Sequence, residues 1–350
     1  MSERRTPAAA TAARPPATDD GEAGTRRDRA GSTGPGRRSR PRLRPGWFQD
    51  YGVYAAIVLV LVVALVTTPG FVSLGGLRTQ LIQVVPVLVV SLGMALVIGT
   101  EGIDLSVGSV MAVSAAVLPL YLGYGAVGGL LAVVVVGVVT GSVAGSLVAF
   151  VRVQPIVATL ALLVGLRGLA TVVGGGRQTQ IINPTVLQLG RGEVLGVPYV
   201  VVVAAVLVVV VALVVQRTTF GRQLVAIGGN RTASRLAGLP VRRVLVTVYV
   251  VSGVLAAVAG LLATARLGAS TPNTLGELLE LSAITAVVIG GTPLSGGRVR
   301  VLGTVAGALL VQLITALLIS NDLSYATAQM VQAGIIVAAV WIQLGRRRAS

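Results

Sequence analysis

Glu101, Asp104, Ser106, Arg167 and Glu280 stand out because each lies in or beside a long apolar run. Asp104 immediately precedes an apolar segment. As a cap it satisfies orphan amides and suits the positive end of a helix. As part of a broken helix it exposes polar backbone to a water-filled path. Glu101 suits either role. Arg167 inside an apolar span costs several kcal/mol unless it is paired or wetted, so it either pairs with Asp104 or a helix-end carbonyl, or lines a path. Glu277 and Glu280, expected at the outer end of a span, either meet a delivering protein or cap the helix. Other chemistry is excluded by composition. The chain has no Cys and no His, and all 28 basic residues are Arg. Thiol nucleophiles, thiolate metal sites and imidazole bases are therefore absent. A phosphate-binding P-loop needs its lysine, so any ATP hydrolysis must come from a separate subunit. No catalytic residue, metal or cofactor is expected.

A second constellation occupies 216–243. Phe220, Leu224, Ile227, Leu236 and Leu239 offer apolar anchors, and Arg222, Arg231, Arg235, Arg242 and Arg243 offer charge. Gly228, Gly229, Asn230, Gly238 and Pro240 punctuate it. A short amphipathic helix here would lay its apolar side in a partner's groove. Alternatively, the arginines obey the positive-inside rule and meet anionic lipid.

The elements that must position these residues follow from hydropathy. Hydrophobic residues make up 54% of the 350, charged residues 11%, and the mean hydropathy is +0.87. A soluble domain is about a quarter charged, so this is an integral membrane protein. Strand alternation is absent, which leaves helices as the spanning elements. About ten spans of suitable length are expected, near 51–68, 78–99, 105–122, 126–150, 155–173, 198–215, 244–265, 279–291, 301–319 and 324–344. The eighth is short and reads as broken or tilted. Residues 1–46, rich in Arg, Pro, Gly and Thr, read as a disordered basic cytoplasmic tail, ahead of a permease domain over 47–350. The arginines of 216–243, with Arg152, Arg298, Arg300 and the final Arg346–Arg348, place both termini in the cytoplasm. The pI of 11.6 reflects these segments and implies no nucleic-acid partner. In the fourth span Gly137, Gly141, Gly145 and Ala149 form a small-residue face for close helix packing, read as packing within one chain rather than a dimer seam.

The segment GMALVIGTEGIDLSVG (93–108) resembles the permease subunits of ribose/xylose-type ABC sugar importers. RVQPIVATL (152–160), Arg167-Gly168, FGRQLVAIGGN (220–230) and AVVIGGTPLSGGR (286–298) agree with that family in order and spacing. The family usually has Asn where Ala144 stands, Phe at Ile156 and Asp at Ser282; these departures bear on the substrate. The resemblance implies an all-α permease working as a homodimer or with a similar permease, in a bacterial inner (plasma) membrane. It implies an ATP-binding subunit docked on 216–243, an extracytoplasmic substrate-binding protein, and a monosaccharide cargo. Nucleosides or branched-chain amino acids are the alternative cargo. An ion-coupled secondary transporter fits less well, because proton relays use buried Asp, Glu or His and His is missing. A purely structural scaffold would not need the arginine- and glycine-punctuated loop. A weak internal echo pairs VIGTEGIDLSVG (97–108) with VIGGTPLSGG (288–297).

Overall fold

The computed structural model describes residues 47–324 and, beyond them, 326–331, 333, 334 and 337. The expected tail 1–46, both chain ends and much of the expected span 324–344 lie outside the described residues. Apolar runs become helices here because a helix satisfies its own backbone where water is absent. The helices are α1 (Trp47–Thr67), α2 (Leu74–Gln83), α3 (Val85–Gly99), α4 (Val107–Tyr121), α5 (Gly125–Ser146) and α6 (Pro155–Val173). They continue as α7 (Pro184–Arg191), α8 (Tyr199–Arg217), α9 (Thr219–Gly229), α10 (Arg231–Leu236), α11 (Val241–Leu267), α12 (Leu279–Ile289) and α13 (Val301–Ser320).

Among the described residues, five stretches are long and apolar enough to cross a bilayer, and the bent pair α2–α3 makes a sixth. One of the five, Val107–Val151, is 45 residues long and folds back on itself: Gly125 turns the chain at φ +88°, and α4 packs alongside α5. The expected second span is the bent pair, with a 43° break at Val84. Pro86 at the start of α3 lacks the amide that would continue α2 into it. The expected eighth span is α12, only 11 residues long.

Burial is organised around α11. It is buried over 67% of its most apolar window, against 17% for α6 and 22% for α8. Helices α3, α4 and α5 surround it. The small-residue face of α5 lies against it. A methyl group on Gly137 would come 2.6 Å from the Val254 Cα, and one on Gly145 would come 2.8 Å from the Val246 Cα. Such backbone proximity gives dispersion contacts without needing burial from water, so this face packs within the chain. The outward sides of α1, α5 and α8 expose Val62, Val66, Val135, Val139, Val206 and Val209, an apolar perimeter suited to lipid.

The bundle has two distinct ends. At one end, α9 and α10 meet the C-terminal end of α3 and the loop after α12. The other end carries short extramembrane structure that the all-helical expectation did not include. There β1 (Thr179–Gln180) pairs with β4 (Ala269–Ser270), and β2 (Glu193–Val194) pairs with β3 (Val197–Pro198). Asn183 caps α7 through Thr185 and Val186, and Arg78 forms an ion pair with Glu193.

Candidate functional site

Helix α3 ends in a hydrogen-bonded reversal: the Glu101 amide donates to the Ile98 carbonyl (2.9 Å) and the Gly102 amide to Val97 (3.1 Å). Glu101 takes φ +65° there. Helix α12 ends the same way, with Gly291 donating to Val288 (3.1 Å) and Thr292 to Val287 (3.2 Å), Gly291 standing at φ +88°. A left-handed residue closing two such bonds is a common helix stop. The sequence echo thus has a structural counterpart, but its register is shifted: the hydrogen bonds match Val97 with Val287, not Val288.

The loop that follows α12 returns to the end of α3. Gly297 donates its amide to the Gly99 carbonyl at 3.1 Å, and Gly228 of α9 packs into the same point. A methyl on Gly228 would overlap the Gly99 carbonyl and lie 2.6 Å from the Gly297 nitrogen. Arg231 of α10 reaches inward to donate to the Thr100 carbonyl at 3.1 Å. The α9–α10 segment is therefore attached to the end of α3 and to the loop after α12.

The other expected residues of the segment fall into two groups. Leu224 and Ile227 are fully buried and Phe220 is half-buried, packed on the protein's own core, so these are not free anchors for a partner. The reason is that α9 turns its apolar side onto α3 and α8. Leu236 is left 85% exposed, with Arg222, Arg235 and Gly238 also exposed. Asn230 caps α10 by accepting from the Ala233 amide at 2.9 Å. Gly229 faces open space without a positive φ, whereas Gly238 stands at φ +78°.

After Gly102 the chain runs back into the bundle as an extended segment before α4 begins. Asp104 lies here, 2% exposed. Its Oδ1 accepts from the Ser106 amide (3.1 Å) and hydroxyl (2.6 Å), and its Oδ2 accepts from Ser252 of α11 (3.0 Å). Ser252 also abuts Gly93, which lies six residues before the end of α3, so Asp104 sits about 9 Å inside that end. Thr159 of α6 donates to the Ile103 carbonyl at 3.1 Å. The Tyr249 hydroxyl, 2.8 Å from where a methyl on Gly102 would stand, is buried without a hydrogen-bond partner. Glu101 is exposed. Asp104 is thus held by three donors, and Arg167 is not one of them.

Arg167 donates to the Leu275 carbonyl at 2.8 Å and to Pro272 at 3.5 Å, in the loop ahead of α12. The charges of Glu280 and Glu277 act on it. Glu280 is 7% exposed, and its Oε2 is buried without a hydrogen bond, against Gly108 near the start of α4. Two buried carboxylates therefore flank the first turn of α4. Tyr249, Ser252 and Thr159, absent from the expected site, complete it. Their signal was a polar atom in the middle of an apolar helix. Gln80, Gln83 and Gln312 form a further amide cluster between α2 and α13, with Gln312 donating at 3.2 and 3.0 Å. Among the described residues no group of His, Cys, Asp and Glu is placed to hold a metal ion.

Comparison with known proteins agrees with this polytopic architecture. Residues 76–340 match the family described as the branched-chain amino acid transport system permease component. The ribose import permease protein RbsC of Haemophilus influenzae is 36% identical over 298 residues, covering 82% of this chain and 90% of that protein. The fructose import permease protein FruF of Bifidobacterium longum is 37% identical, covering 76% and 79%. The galactofuranose transporter permease protein YtfT of Escherichia coli is 34% identical, covering 87% and 93%. No solved structure matches. The chain is a multi-pass membrane protein and belongs to the branched-chain amino acid transport system permease component family.

Proposed function

We propose that the chain is the permease subunit of an ABC importer for a monosaccharide. It passes substrate from an extracytoplasmic binding protein to the cytoplasm of a bacterial cell, across the plasma membrane. Two permeases form the path, and separate ATP-binding subunits dock on 216–243. The carrying observation is the contact of Gly228 with Gly99 and Gly297, which couples one exposed segment to the reversed end of α3 and to the loop after α12. A push on α9–α10 from an ATP-binding subunit moves the end of α3, and with it the segment that bears Asp104. Glu101, Asp104, Ser106, Arg167 and Glu280 line or brace the path, and Phe220, Arg222, Gly228, Gly229, Asn230, Arg235, Leu236 and Gly238 belong to the docking element. In this reading about ten helices cross the membrane and both termini are cytoplasmic, supported by Arg152, Arg217, Arg222 and Arg235 gathering at the α9–α10 end. The sugar assignment follows the cargo in the names of the ribose, fructose and galactofuranose relatives. The chain itself hydrolyses no ATP.

The test is uptake into vesicles holding the full complex, with labelled ribose, fructose, galactose, leucine and uridine offered in turn. ATP-dependent uptake of a sugar is expected. The family description names branched-chain amino acids, so leucine uptake without sugar uptake would replace this cargo with the second reading. Uptake driven by an ion gradient without ATP would remove the importer reading altogether.

A further inference from the structure

Beside α10 lies a cavity of about 260 Å³ whose lining includes Arg152, Arg231, Arg235 and Arg242. No carboxylate lines it. Four arginines thus line one concavity with no acid among them, and planar guanidinium forks suit phosphate oxygens. Arg231 is held at one end by its bond to the Thr100 carbonyl, while its Nε is buried without a hydrogen-bond partner. Arg152 stands at φ +64° where the π-turn after α5 ends. A non-glycine residue in that conformation is strained by about 1–2 kcal/mol, and such strain persists where a side chain has a task. Arg242 is stacked over Phe150, 5.7 Å from its ring centre.

The remainder of the lining decides what kind of anion fits. Val148, Val153, Val241 and Leu245 supply apolar lining beside the charges. The cavity adjoins Phe150 and Val151, which are 55% and 65% exposed on the apolar perimeter. A ligand satisfying both kinds of lining is amphiphilic, with a phosphate at one end and an acyl-bearing glycerol at the other. We infer that this cavity is a binding site for the phosphate headgroup of an anionic phospholipid, held between the end of α5, α10 and the start of α11. The site tethers α10 to the bilayer surface and is independent of which solute the protein carries.

The test uses the purified full chain in phosphatidylcholine nanodiscs, titrated with pyrene-labelled phosphatidylglycerol, with retained lipid counted by native mass spectrometry. The wild-type chain should retain phosphatidylglycerol in preference to phosphatidylcholine. Arg152→Gln with Arg242→Gln should weaken binding about thirty-fold, at roughly five-fold per arginine. Arg217→Gln with Arg243→Gln removes the same charge from the same end without touching the cavity, and should leave binding unchanged. Should the first pair unfold, Arg152→Lys with Arg242→Lys keeps the charge but loses the forks, and is expected to fall between wild type and the glutamine pair. Three results would overturn the assignment. They are equal loss in the control pair, no preference over phosphatidylcholine, and displacement of the lipid by inorganic phosphate. So would a glutamine pair that keeps its lipid but loses the ATP-binding subunit, since the arginines would then serve that subunit.

Discussion

Gly228→Ala and Gly229→Ala are the same chemical change one residue apart, with opposite expected signs. At Gly228 the added methyl overlaps the Gly99 carbonyl oxygen and lies 2.6 Å from the Gly297 nitrogen. All of these atoms belong to backbone, so no flexible side chain can swing away. One helix end must move, and the 3.1 Å hydrogen bond from Gly297 to Gly99 crosses the same gap. Losing that bond costs about 1 kcal/mol and the overpacking about 1–3 kcal/mol, giving about 2–4 kcal/mol in all. At Gly229 the methyl meets nothing within 4 Å and the backbone has no positive φ. Alanine there should gain about 0.5–1 kcal/mol, because it loses less freedom than glycine in a helix. Thermal unfolding of each purified full chain in nanodiscs, followed by circular dichroism, should lower the Gly228→Ala midpoint by at least about 4 °C and raise the other slightly. In the reconstituted complex, Gly228→Ala should also reduce transport per ATP hydrolysed while the ATP-binding subunit stays bound. Equal midpoints for the two variants would refute the contact argument, and normal coupling by a destabilised Gly228→Ala would refute its functional extension.

Three further outcomes are expected. Leu236→Asp places a carboxylate on a side chain already 85% exposed. It should leave the unfolding midpoint unchanged yet release the ATP-binding subunit in co-purification, because a partner's apolar contact would bury an unpaired charge. Ser252→Ala removes the donor to Asp104 Oδ2 and should cost about 1–3 kcal/mol, measured as a lower unfolding midpoint. Ser252→Thr, which restores the hydroxyl, should recover part of that loss. Glu101→Gly relieves a left-handed backbone and should stabilise the fold by about 1–2 kcal/mol. If the carboxylate has a task at that helix end, transport falls as stability rises, whereas unchanged uptake would leave Glu101 with no role beyond its turn.

Hydropathy and glycine spacing made much of the helical frame legible in the sequence. The face of Gly137, Gly141 and Gly145 reads as a packing surface from composition alone, and it packs on α11. The break within 78–99 was missed because Pro86 sits near the front of its apolar run, where a proline also reads as an ordinary first-turn residue. The short strand pairs were missed because two-residue ladders leave no periodic pattern. The site was harder. Asp104, Arg167 and Glu280 were conspicuous as charges among apolar residues, but their partners were not. Ser252 and the Leu275 carbonyl are brought to them by folding from 148 and 108 residues away. The amphipathic reading of 216–243 named apolar anchors, and folding turns two of them, Leu224 and Ile227, onto the chain's own core. Periodicity reports that a face is buried, and it is silent about whether the covering surface belongs to the same chain.

The reversed ends of α3 and α12 bring these strands together. Each closes with a five-residue hydrogen bond and a left-handed residue, yet the sequences differ where they matter most. The α12 copy places Gly291 at the left-handed position, where it costs little. The α3 copy places Glu101 there and follows it with Asp104, buried about 9 Å deeper. If the two ends served packing alone, glycine would suit both equally. The costlier residue, and the buried acid behind it, stand on the α3 side, which Arg231 grips through Thr100. In the coupling proposed above, this asymmetry makes α12 the brace and α3 the moving element of the pair. Loosening each end should therefore separate them: Arg231→Ala, which frees the Thr100 carbonyl, should uncouple transport from ATP hydrolysis, whereas Thr292→Val, which removes the acceptor for the Arg300 amide beyond α12, should slow transport little. Equal inhibition by the two variants would show that both ends move.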